Sequence, residues 1–135
     1  MSHHMVIVVG NLGSDPELRT ASNGQKVCNL SVASNRKYTD KNGELQQETT
    51  WFRCAAWGAL AEPAAQHLSK GRQVYIEGRL VSDSYGNPRV WSTQAGQPAA
   101  SFELTIQTLR FLGSPANTGA PEPKAPPELE DNLPE

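Results

Sequence analysis

The 135 residues contain only two cysteines and three histidines, and no apolar run approaches membrane-spanning length. Each shortage excludes something. Cys28 and Cys54 have no C-x-x-C or histidine spacing around them, so no metal site is expected. Both fall on inward strand positions and read as small core residues in a reducing compartment. His67 stands alone on a predicted helix, and no His, Cys, Asp or Glu cluster has ligand or triad spacing, so catalysis lacks its parts and no cofactor is called for. With no spanning segment, no signal peptide and none of the Arg and Ser of a transit segment, the expected location is the cytoplasm. His3 and His4 are given no function.

A strong charge of either sign is also missing, but the net −2 is an average over two unlike regions. Residues 1–113 hold 11 Lys/Arg against 9 Asp/Glu, and residues 114–135 hold 1 against 5. A mildly basic body with an acidic tail is weak evidence for a polyanionic partner. The length suits one domain with a real core. From Gly113 onward the chain turns Pro/Ala/Gly-rich with no hydrophobic periodicity and ends E-L-E-D-N-L-P-E. Two regions follow: a folded domain over 1–113 and a disordered linker and acidic tail over 114–135.

The body reads mostly as strands. Met5 to Val9 is a short apolar run leaving into G-N-L-G; Leu18 and Arg19 resume extended chain, and S-N-G-Q (22–25) is a hairpin turn. From Lys26 to Ala33 the residues alternate, with Cys28, Leu30 and Val32 inward and Val27, Asn29 and Ser31 outward. Residues 35–50 form a polar hairpin arm with D-K-N-G at its tip. After Trp57 the period changes: Leu60, Ala61, Ala64, Ala65 and Leu68 predict one short helix, with Pro63 in its first turn and Lys70-Gly71 as its stop. Strands return at 73–80, where Val74, Ile76, Gly78 and Leu80 alternate with Tyr75, Glu77 and Arg79, and at 100–109, the last with Phe102, Leu104 and Ile106 on one face. Ser82 to Pro88 is a loop, 89–93 a further strand and 94–97 a turn. Three strands, a helix and two more strands make an all-β domain with one short helix: an OB-fold, the five-stranded Greek-key barrel.

The stretch T-T-W-F-R-C-A-A-W-G-A-L-A-E (49–62) carries the chemistry. As a strand it sends Phe52, Cys54 and Ala56 to the core and Trp51, Arg53, Ala55 and Trp57 to the other face. Two indoles around a guanidinium on an open face suit a flat base next to a phosphate. The alternative is that one or both tryptophans plug the barrel or lie in a subunit contact. Candidate phosphate contacts are Arg19, Arg36, Lys37, Arg53, Lys70, Arg72, Arg79 and Arg89, any of which could instead be an ordinary solvated charge. Arg53, between the tryptophans, is the strongest.

With these residues in place, residues 5 to 113 resemble the bacterial-type single-stranded DNA-binding proteins. The matching motifs are V-V-G-N-L-G-S-D-P-E-L-R (8–19), N-G-Q-K-V-C-N-L-S-V-A (23–33), the stretch 49–62, L-S-K-G-R-Q-V-Y-I-E-G-R-L (68–80) and S-F-E-L-T-I (101–106). The resemblance implies sequence-tolerant binding of single-stranded DNA in replication, recombination and repair, by a nucleoid-associated homotetramer. It also implies stacking of bases on four aromatic positions, which fall here on Tyr38, Trp51, Trp57 and Tyr85. Trp91 has no transferable position: it is either a fifth platform or a packing residue of an altered second arm. At the tail, Glu130, Asp131, Asn132, Leu133 and Pro134 fit the family's partner-binding tip, but Glu135 stands where the terminal Phe is expected. Recruitment of replication and repair proteins is therefore in doubt. A second reading is a specialised paralogue acting mainly as a protein-interaction module in a replication-restart or recombination assembly.

Overall fold

The structure is a computed structural model that describes residues 1–113. Its strands are β1 (Val6–Leu12), β2 (Glu17–Thr20), β3 (Lys26–Thr39), β4 (Leu45–Trp57), β5 (Gln73–Leu80), β6 (Trp91–Ser92), β7 (Pro98–Ala99) and β8 (Phe102–Leu112). A 3-10 turn (Gly58–Leu60) leads into α1 (Ala61–His67), the one α-helix among the described residues. The strand order is β1-β5-β8-β4-β3, and β1 pairs again with β3, closing a five-stranded barrel. Only β4 and β8 run parallel. The expected OB-fold is present, with β2 added outside the barrel along β3. Among the described residues no helix is long and apolar enough to cross a membrane. The linker and acidic tail expected over 114–135, including Glu130 to Glu135, lie outside the described residues.

Inward alternation fills the barrel. Val8, Leu30, Val32, Cys54, Val74, Ile76, Leu104 and Ile106 are buried in one cluster, joined by Ala61 and Ala64 of α1 and by Leu68 just after it. Burial holds both cysteines as neutral thiols, with Cys54 pushed up to about 12. Closure needs a close approach where β1 meets β3: a Cβ on Gly10 would lie 2.2 Å from the Ala33 carbonyl oxygen.

Four turns share one design. In Ala21–Gln25, Asp40–Glu44, Asp83–Asn87 and Thr93–Gln97 the first residue's N–H donates to the fifth residue's carbonyl. The glycine at the fourth position donates back to the first carbonyl, in the left-handed region that glycine adopts cheaply. The 83–87 segment, expected as a plain loop, is thus a tight turn.

The sequence reading fails at three side chains. Val27, expected outward, is buried, because the register sets it between Arg19 of β2 and Trp57 of β4 on the outer face. Phe102 and Leu80 keep the inward parity but lie where the strands leave the closed barrel. Both are exposed, and the Phe102 ring lies 5.7 Å from that of Phe52. The strand expected over 89–93 shrinks to two residues, and the last strand begins at Phe102 and runs on to Leu112.

Candidate nucleic-acid interface

The outer face of the barrel can be read row by row from the strand register. One row holds Arg19, Val27 and Trp57. The next holds Glu17, Asn29, Ala55, Thr105 and Arg79. Ser31, Arg53 and Glu103 form a third, and Ala33 and Trp51 a fourth. The result is a shallow floor of small residues, Asn29, Ser31, Ala33 and Ala55, walled by two indoles and studded with three arginines. Trp51 is 50% exposed and Trp57 38%. Neither plugs the barrel, since the same parity that buries Cys54 and Ala56 turns both indoles out.

Trp91 joins this face from the second arm, residues 81–101 between β5 and β8, a signal that spacing did not supply. The Arg53 guanidinium lies 5.6 Å from the centre of the Trp91 ring and that of Arg89 lies 5.9 Å away. Both are within cation–π range. Arg89 makes two 2.8 Å hydrogen bonds to the Glu103 carboxylate, whose side chain is only 11% exposed. Arg89 first, with Arg53 adding to it, holds the Glu103 carboxyl below the usual carboxylate range. The only sequence hint of Trp91's placement is its position two residues before the T-Q-A-G-Q turn, which orients the short β6–β7 hairpin.

The arms differ from the barrel face. Tyr38 and Arg36 share the parity of Cys28 and Val32, so they leave the β3–β4 ribbon from the side opposite Trp51 and Trp57. Arg36 lies 4.7 Å over the Tyr38 ring and is ion-paired to Glu48 at 2.9 Å. Tyr85 sits at the apex of the 83–87 turn, 87% exposed. Its N–H donates to Asp83 Oδ1, which also accepts from the Asn87 N–H, so the apex is fixed by its own backbone.

The remaining candidates divide in the same way. Arg72 donates to the carbonyls of Leu112 and His67 and lies over Phe111, a clamp on the barrel's C-terminal strand. Lys70 is exposed in the loop after α1, where its backbone N–H donates to Asp15 Oδ1. Lys37 is exposed on the first arm. Among the described residues no ion pair ties Arg19, Arg53 or Arg79 to a carboxylate. No group of three His, Cys, Asp or Glu side chains in that region is placed to hold a metal ion.

Comparison with known proteins bears on this face. A model of the single-strand binding protein family matches residues 3–112. The chain belongs to this family. Its members are binding proteins rather than enzymes, and single-strand binding without catalysis is the function here. A relative from Chlorobaculum tepidum named single-stranded DNA-binding protein 1 is 39% identical over 114 residues, 84% of this chain and 67% of its own. The structure of the Plasmodium falciparum SSB complex with ssDNA superposes with a TM-score of 0.69 at 28% identity, covering 84% of this chain and 97% of that one. A small single-stranded DNA-binding protein from Streptomyces coelicolor gives 0.66 at 25% identity over 82% of this chain and 95% of its own.

Proposed function

We propose that the strand passes over the outer face of β3 and β4, stacking bases on Trp51, Trp57 and Trp91 while Arg19, Arg53 and Arg79 neutralise phosphates. The single observation carrying this reading is the outward side of β4, where Trp51, Arg53 and Trp57 stand exposed above a floor too small to compete for the space. Stacking is tolerant of sequence because every base offers a π-face. Tyr38 and Tyr85 extend the path onto the two arms, with Lys37 and Lys70 at its margins. Arg36 and Arg89 exchange a carboxylate for a phosphate only when the strand reaches them, and Arg72 acts on the fold.

Protection of single-stranded DNA at the nucleoid during replication, recombination and repair is the cellular role this binding serves. Self-association, as a homotetramer, is part of the proposal. Its support is β1, where Val6 to Gly10 pair with β5 alone, leaving an open edge, and Ile7 and Val9 are exposed on the outer face. The acidic end, Glu130 to Glu135, is proposed as a tethered polyanion that visits the basic face. The same acidic stretch is proposed as the segment that meets replication and repair proteins.

The test is a tryptophan-fluorescence titration with oligo-dT, oligo-U and duplex DNA at two salt concentrations, on the full chain and on residues 1–113. Tight, salt-sensitive binding of oligo-dT, weak binding of duplex and modestly tighter binding without 114–135 are expected. Preference for duplex would overturn the proposal.

A further inference from the structure

The Trp51 indole rests on a glycine. A methyl group at Gly13 would lie 2.5 Å from Cζ3 and 2.6 Å from Cη2 of that ring. Neither distance is possible for real carbons, so the ring occupies its position only because Gly13 has no side chain. The glycine is not needed for its backbone: Gly13 is absent from the positive-φ glycines of the chain.

The seat under the ring has little room to give. The Gly13 N–H donates to the Ser31 carbonyl at 2.9 Å, and Leu12 exchanges hydrogen bonds with Arg72 and Gly71 at 3.0 and 2.8 Å. On either side Asn11 Nδ2 donates to the Gly71 carbonyl at 3.1 Å and the Lys70 N–H donates to Asp15 Oδ1 at 2.8 Å. Moving the loop away from an added methyl would break bonds to both β3 and the start of β5. Moving the indole breaks none. We infer that Gly13 is a positioning residue for strand binding: its bare backbone is the back wall that holds the Trp51 ring flat on the face. Any side chain there tips the ring off the path of the bases.

The inference rests on Trp51 being a stacking platform, and the experiment separates the two. Four variants, Gly13→Ala, Trp51→Phe, Trp51→Ala and Gly13→Ala with Trp51→Phe, are titrated with oligo-dT, with melting temperature and near-ultraviolet circular dichroism measured on each. Gly13→Ala is expected to weaken binding about tenfold, to change the tryptophan dichroism and to leave melting nearly unchanged. Phenylalanine lacks the outer indole atoms that meet the methyl, so in the Trp51→Phe background the added Gly13→Ala should cost less than about twofold. Equal losses in both backgrounds would overturn the inference, because the seat would then matter without the ring. Unchanged binding in Gly13→Ala, where Trp51→Ala weakens it, would overturn it as well. Unchanged binding in Trp51→Ala removes the platform itself, and the inference with it. If Gly13→Ala alone does not fold, recovery of folding in the double variant supports the clash, and failure of both to fold contradicts it.

Discussion

The β3–β4 ribbon is one continuous antiparallel pair whose two halves are built differently. In the barrel half the aromatics are backed by the body of the protein, Trp51 by the Gly13 backbone and Trp57 beside the buried Val27, and among the described residues no ion pair holds Arg19, Arg53 or Arg79, although Arg53 lies in register with Glu103. In the arm half Tyr38 is backed by an exposed guanidinium, and that guanidinium is already paired with Glu48. The second arm repeats the arm pattern, with Arg89 held by Glu103. The difference teaches that one surface can hold two kinds of contact. Preorganised platforms bind without rearrangement, whereas paired cations must give up a partner first and so return less net energy per contact.

The largest expected effect breaks the comparison at its aromatic side chains. Trp51→Ala and Trp57→Ala should each weaken oligo-dT binding by about 1–3 kcal/mol, a range characteristic of single-strand binding proteins as a class rather than one derived from this geometry. Tyr38→Ala should weaken it less, because the ring leaves the opposite side of the ribbon. Isothermal titration of the three variants, each with its melting temperature unchanged, checks the order. A larger loss from Tyr38→Ala than from either tryptophan would show that the strand runs along the arm instead.

A smaller effect concerns the second arm and pH. The Glu103 carboxyl is held low chiefly by Arg89, so the unfolded chain binds more protons at this site than the folded one in the acidic range. The pair therefore stabilises the fold above the ordinary carboxylate value, and that contribution is lost as pH falls through the lowered one. With Arg89 half-exposed, it is worth about 1 kcal/mol or less. Glu103→Gln should melt lower than the parent at neutral pH, and the gap should close on acidification. A gap that persists in acid would mean that Glu103 acts through packing rather than charge.

What was legible in the sequence follows from how far each inference had to reach. The outward Trp51–Arg53–Trp57 row needed only the period of a single strand, and α1 needed only the period of a single helix. Val27 depended on which residues flank it on two other strands, information carried by register rather than by alternation. Phe102 and Leu80 have the right parity for the core, but closure of the barrel ends before it reaches them. Trp91 and Gly13 depended on side chains meeting across long sequence separations: Trp91 with Arg53, and Gly13 with Trp51. The same holds for the arginines, where sequence lists every cation alike and only the fold decides which already face a carboxylate.

The smallest effect is also the most direct test of the claim that the barrel face, and not the arms, meets the phosphates. Oligo-dT affinity is measured over a series of salt concentrations for the parent, Arg53→Ala and Arg36→Ala. Removing a cation that neutralises one phosphate on a single strand should flatten the log–log slope by about 0.7. The account predicts that flattening for Arg53→Ala and an unchanged slope for Arg36→Ala, whose charge is already balanced by Glu48. A slope unchanged by Arg53→Ala and flattened by Arg36→Ala would contradict it.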